Sequence, residues 1–325
     1  MKINESIKNS SFSFKKKKNI FNSQEFYLLI IIIFVSVVVS IVSPNFFTGI
    51  NLLNIFRQAV VTGIIALASA IVLISGGIDL SVGLMMSFTA VVTVKLITIG
   101  LNPVLSVCVG FLVATICGIF NGFLVSVTKC QPFIITLGML SVYQGGALLV
   151  TRGVIVNVPS SVNLIGSGAI GFFPTTIIIL LIVFLVASFI LKRTRFGRRL
   201  YAIGGNEEAA YCSGININLY KVFIYGIAGL LVGLAALMFI VRLGSSNALM
   251  GSGYELRGIA AAVIGGVSLS GGKGSITGVF LGVFLLVIIS NALNLLGVNP
   301  YFQTMVLGAI IVFAVIISNL AERRN

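Results

Sequence analysis

Residues 53–99 read LNIFRQAVVTGIIALASAIVLISGGIDLSVGLMMSFTAVVTVKLITI: two apolar runs, 53–75 and 81–99, parted only by a glycine pair and one acid. About 20 apolar residues make a helix long enough to cross the ~30 Å hydrocarbon core of a bilayer. Two such runs in series fit a membrane and not a soluble core. Working outward, further runs bounded by Pro, Gly, Asn or charge fall at 26–43, 104–127, 132–150, 172–191, 220–241, 258–270, 275–296 and 301–319, which makes ten. The run 258–270 is too short to cross unaided, so a broken or re-entrant segment is expected there. The composition agrees. Of 325 residues, 58% are hydrophobic and 9% charged, against about a quarter charged in soluble domains. The fold class is therefore all-α, a polytopic membrane protein with about ten transmembrane helices, one or two of them broken. The first run ends at Ser43-Pro44 without a small-residue cleavage site and reads as an uncleaved anchor.

Charge placement gives an orientation. With the N-terminus inside, ten crossings put 16 Lys and Arg on the cytosolic side and three (Arg152, Arg242, Arg257) outside, with Arg57 and Lys95 unassigned near span ends. Basic residues in short loops stay cytosolic, so the net charge of +14 reports topology and not nucleic-acid binding. The division is a basic cytosolic segment 1–25, a membrane body 26–320 with 192–219 as an inner loop, and a cytosolic tail 321–325. Lys15 to Lys18 could also meet anionic headgroups of the lipid bilayer.

The break between the first two quoted runs is Gly76-Gly77-Ile78-Asp79-Leu80-Ser81-Val82-Gly83. The glycines let the chain leave helical geometry, and Asp79 and Ser81 can accept hydrogen bonds from free N–H groups of the next helix. Asp79 either holds a broken helix or stands in a permeation path, the default expectation for an acid at that depth. Residues 265–272, GGVSLSGG, repeat the pattern 189 residues on. Pro132-Phe133, Thr136 and Leu137-Gly138 are echoed 168 residues on by Pro300-Tyr301, Thr304 and Leu307-Gly308, with Asn121 and Asn291 ahead of each set. Two weakly repeated halves, offset by about one helix, are the mark of a transporter with its path between them. Asn121, Thr136, Gln144, Asn291 and Asn294 are polar residues in apolar spans; each either lines a path for a neutral, hydrated solute or makes an interhelical bond.

In the inner loop, Gly204-Gly205-Asn206-Glu207-Glu208-Ala209-Ala210-Tyr211-Cys212-Ser213-Gly214 reads as a short helix. Asn206 suits the N-cap, the two glutamates the positive dipole end, and Gly214 the stop. A helix that short does not stand alone in water; with Arg195, Arg198 and Arg199 before it, it offers both signs of charge to a partner. The outer segment 244–257 brings Glu255 and Arg257 to the outer mouth, for an external partner or for a local ion pair.

Several chemistries are excluded. There is no histidine, hence no His-based metal site, general base or pH switch. The cysteines at 108, 117, 130 and 212 lack CxxC spacing and read as reduced packing residues. Leu269-Ser270-Gly271-Gly272-Lys273 looks like a nucleotide motif, but a P-loop needs glycine at position 267, which is Val267, and Ser or Thr at 274, which is Gly274. The chain hydrolyses no ATP by itself, and no cofactor is implied.

Taken together, GGIDLSVG, GRRLYAIGGNEEAAYCSGIN, GSGYELRGIAAAVIGGVSLSGGKGS and NALNLLGVNPYFQ resemble the ribose-type permeases of bacterial ABC importers, in order and spacing, from about residue 45 to 320. The resemblance implies a multi-pass subunit of the bacterial cytoplasmic membrane that pairs with a second permease, identical or a close paralogue. A cytosolic ABC ATPase would drive it and an extracytoplasmic sugar-binding protein would deliver a monosaccharide. It also implies that Gly205, Asn206, Glu207, Glu208, Ala209, Ala210, Ser213 and Gly214 form the coupling helix seated on the ATPase. After Tyr254-Glu255-Leu256 the family often carries an acid, where this chain has Arg257. The competing reading is an ion-coupled secondary transporter or channel for a small neutral solute, which needs more ionisable groups at the midplane than Asp79 supplies.

Overall fold

The computed structural model describes residues 24–159, 168–170 and 173–322. The basic segment 1–23, residues 160–167 and 171–172 of the loop 151–171, and residues 323–325 lie outside them. Twelve helices follow in order: α1 Gln24–Val42, α2 Gly49–Ile74, α3 Val82–Thr98, α4 Pro103–Thr128, α5 Pro132–Thr151, α6 Thr175–Arg193, α7 Arg195–Gly205, α8 Glu207–Cys212, α9 Ile217–Leu243, α10 Tyr254–Ile264, α11 Ile276–Leu295 and α12 Pro300–Glu322. Four two-residue strands, β1 Val156–Asn157, β2 Ala169–Ile170, β3 Phe173–Pro174 and β4 Ser245–Ser246, pair antiparallel as β1 with β4 and β2 with β3. Each of the ten apolar runs became a helix. Seven of the described helices are long and apolar enough to cross a membrane; α3 and the described apolar part of α12 are shorter. At 11 residues α10 spans only about 16 Å. The chain is an all-α polytopic membrane protein.

Side-chain chemistry sets the helix ends. Asn102 Oδ1 accepts from Val104 N at 2.9 Å ahead of Pro103, and Asn216 Oδ1 accepts from Leu219 N at 3.1 Å. A proline at N1 costs nothing because its missing N–H has no intrahelical partner there. The two GG motifs end α2 and α10 in the same way. Gly76 N donates to Leu73 O and Gly77 N to Val72 O; Gly266 N donates to Val263 O and Val267 N to Ala262 O. Both are Schellman closures around a left-handed glycine, Gly76 at φ 85° and Gly266 at φ 88°. The structural equivalence is thus 190 residues, one more than the sequence match gives.

Helix α2 is the central post. From Ala59 to Ile74 it is buried throughout, packed by α9, α10, α11, α3 and α6. Helices α4 and α9 make the most intimate pair because Gly118 and Gly122 on one face Gly229 on the other. A Cβ on Gly118 would lie 2.9 Å from Gly229 Cα. Small residues let membrane helices approach this closely, where dispersion and weak hydrogen bonds replace the hydrophobic drive.

Candidate functional site

Helix α7 is amphipathic and lays Leu200 and Ile203 against the body. Thr194 Oγ1 caps it by accepting from Gly197 N, and Tyr201 Oη donates to Gly274 O at 2.9 Å. Burial pushes the Tyr201 phenol above its usual range. Helix α8 follows at once. Asn206 Oδ1 accepts from Ala209 N at 2.9 Å, Glu207 and Glu208 occupy the first turn, and Gly214 leaves at φ 81°. Of the eight residues expected to couple, only Ala210 is buried, packed with Ile203 and Ile217; Gly205, Asn206, Glu207, Glu208, Ala209, Ser213 and Gly214 are exposed. Glu207 is held by Lys221 Nζ at 2.7 Å, while Arg199 donates to Tyr220 Oη at 2.6 Å. Tyr211, a large aromatic 69% exposed on the same helix, was not singled out from sequence. Its apolar neighbours in the string gave no sign that it points outward.

The helix pair rests on backbone. Gly204 is so close to Ile74 O that a Cβ there would overlap it, and that Cβ would lie 2.6 Å from Gly272 N. A Cβ on Gly271 would meet Gly204 O at 2.7 Å and Gly76 Cα at 2.8 Å. Gly272 N donates to Ile74 O at 2.8 Å. Three segments, the two GG motifs and the start of α8, therefore meet main chain on main chain. Only glycine permits that approach.

Four of the residues expected in a path hold one another. Tyr143 Oη donates to Asn121 Oδ1 at 2.7 Å, Asn121 Nδ2 donates to Ser81 Oγ at 2.8 Å, and Ser81 Oγ donates to Asp79 Oδ1 at 2.6 Å. Ser81 N also donates to Asp79 Oδ1, at 2.8 Å, and Thr136 Oγ1 accepts from Leu80 N at 3.2 Å. All are buried. The cluster ties the 75–81 break to α4 and α5. Asn291 makes a reciprocal amide pair with Asn51, at 2.8 and 3.0 Å, joining α11 to the start of α2. Replacing Asn51 by Leu is expected to cost about 1–3 kcal/mol by orphaning Asn291. The double replacement with Asn291→Leu should cost less than the sum of the singles, read by thermal unfolding in detergent. Asn294 is exposed and accepts from Gln303 Nε2 at 3.0 Å; Gln144 is half-buried on α5.

Glu255, expected at a mouth within reach of a partner, is buried instead. Its Oε1 accepts from Gly253 N at 2.9 Å, and the carboxylate fills a notch at Gly83 that a Cβ would close. Arg257 is half-buried over the Tyr254 ring, 5.4 Å from its centroid. It lines a cavity of about 100 Å³ with Thr62, Tyr254 and Ser290. Gln58 and Arg242 are shared with a larger cavity of about 640 Å³, whose wall adds Asn54 and Arg57. Helix α9 runs about 40 Å from beside α8 to Arg242, so the cavities and the coupling helix lie at opposite ends. The sequence reading missed Asn54, Arg57, Gln58 and Arg242 as a group, since they come from two helices far apart in the chain.

A membrane body, an exposed capped helix at one end and a polar cavity at the other define a transport subunit. The chain belongs to the family described as "Branched-chain amino acid transport system / permease component", which residues 51–315 match. It is 40% identical over 296 residues to the ribose import permease protein RbsC of Escherichia coli (strain K12), covering 90% of this chain and 92% of that one. It is 37% identical over 302 residues to the D-allose transport system permease protein AlsC of the same strain, covering 92% and 91%. The galactose/methyl galactoside import permease protein MglC of that strain is 35% identical over 305 residues, covering 87% of this chain and 90% of its own. The chain is accordingly a ribose-type sugar ABC permease of the inner membrane, a transport subunit and not an enzyme.

Proposed function

We propose that this chain forms half of the membrane path of an ABC importer for a monosaccharide, a ribose-like pentose or a hexose. Ten helices cross, both termini face the cytosol, and residues 204–214 seat on a separate ATPase. A second permease, identical or paralogous, completes the path, and a sugar-binding protein docks at the end that carries Arg257. The coupling contact rests on one observation: α8 is capped, exposed, and joined through glycine backbone to both GG motifs. A push on α8 reaches Ile74 at the end of the central post and Gly271-Gly272 beyond α10 without passing through a flexible side chain.

Glu207→Arg with Glu208→Arg is expected to abolish co-purification of the ATPase while leaving the permease folded, since both side chains are exposed. Retention of the ATPase at wild-type yield would refute the docking site. Sugar accumulation by the purified chain alone in liposomes, driven by an ion gradient, would favour a secondary transporter instead.

A further inference from the structure

The two cavities bear on which sugar is carried, an inference that rests on the permease reading above. The seven acidic residues of the sequence can be placed one by one. Glu5 lies outside the described residues, Glu25 opens α1, Glu207 and Glu208 sit on α8, and Glu322 ends α12. Asp79 is locked to Ser81. None of these lines either cavity, and residues 160–172 of the adjoining loop contain no acid. Glu255 alone shares a helix with the cavity wall. It attracts Arg257 two residues away, while its Oε1 is bound to Gly253 N and its carboxylate packs against Gly83. Among the described residues the one ion pair is Lys221 with Glu207, at the other end of the molecule. Three guanidiniums, Arg57, Arg242 and Arg257, thus face connected polar space with a single, already engaged carboxylate nearby.

A fixed positive charge of this kind in a concave, low-dielectric wall concentrates anions. The guanidinium fork matches carboxylate and phosphate oxygens in two-point geometry. The larger cavity, about 640 Å³, lies in the range that encloses small ligands. The amides of Asn54 and Gln58 and the hydroxyls of Thr62 and Ser290 are the complement of sugar hydroxyls. We propose that these cavities hold the acidic group of the transported solute, so that the substrate class is a monosaccharide bearing a carboxylate or a phosphate.

The test is equilibrium binding to the full chain in nanodiscs of uncharged lipid. D-galacturonate is set against D-galactose, and D-ribose 5-phosphate against D-ribose; the pair that differs identifies carboxylate or phosphate. At least one acidic sugar should bind about tenfold or more tightly than its neutral partner. That preference should vanish in Arg57→Gln with Arg257→Gln and return with Arg57→Lys in place of Arg57→Gln. Arg57 is exposed, so its replacement spares the fold. Equal binding of both members of each pair, or no binding of either acid, would overturn the proposal. So would variants that keep the sugar preference but lose capture of an acidic extracytoplasmic protein, for the cavity would then be a docking surface. Recovery of the ATPase in the same preparation shows that such a failure belongs to this inference and not to the permease reading.

Discussion

Gly204→Ala should unseat the coupling helix, whereas Gly205→Ala next to it should be silent. A methyl on Gly204 would overlap Ile74 O and crowd Gly272 N, which are main-chain atoms that hydrogen-bond each other at 2.8 Å and cannot rotate aside. The same methyl on Gly205 meets nothing within 4 Å. Overpacking in a closed site costs about 1–3 kcal/mol, and more where backbone is the obstacle. For Gly204→Ala we expect a loss of about 3 kcal/mol in thermal unfolding, or a shift of α8 that ends transport with ATP hydrolysis intact. Gly205→Ala should lie within about 1 kcal/mol of wild type, because an alanine is the better helix former. Equal behaviour of the two variants in both unfolding and transport would mean that the glycine contact transmits nothing.

How far the sequence told this is best seen at the same residues. The length of apolar runs fixed ten helices because burial in lipid leaves a helix no other way to satisfy its backbone. The cap at Asn206 and the stop at Gly214 were legible because capping is local chemistry. The expected run 258–270 became α10 at Tyr254–Ile264. Its start moved because Gly253, at φ 85°, already turns the chain into the helix; its end moved because Gly265-Gly266 closes a Schellman turn before the apolar run is spent. What could not be read was pairing across the bundle. Asn121 was visible as a polar residue, but its partner Tyr143 lies 22 residues away on another helix and was not singled out. Glu255 looked like a surface acid until Gly83, 172 positions earlier, supplied the notch that buries it. Local patterns fix elements; the identity of a side chain's neighbour is a property of the packed whole.

The buried chain from Tyr143 through Asn121 and Ser81 to Asp79 carries the other large expectation. Its hydrogen bonds point one way, each donor polarising the next, and such networks resist piecemeal removal. Asp79→Leu leaves Ser81 N and Ser81 Oγ without their acceptor in a site with no solvent. Two buried orphans at about 1–3 kcal/mol each give a loss of about 2–6 kcal/mol. Asp79→Asn keeps a side-chain oxygen where both donors aim and should cost about 1 kcal/mol. Asn121→Leu falls between, since Tyr143 Oη retains Cys117 O at 3.1 Å. Because Asp79 and Asn121 meet only through Ser81, the cycle Asp79→Asn, Asn121→Leu should show coupling of about 0.5–3 kcal/mol, measured by thermal unfolding in detergent. That ranking is what a clasp holding the break after α2 against α4 and α5 requires. A solute contact predicts the opposite split: Asp79→Leu would fold with wild-type stability and fail only in uptake, and the cluster would then belong to the path.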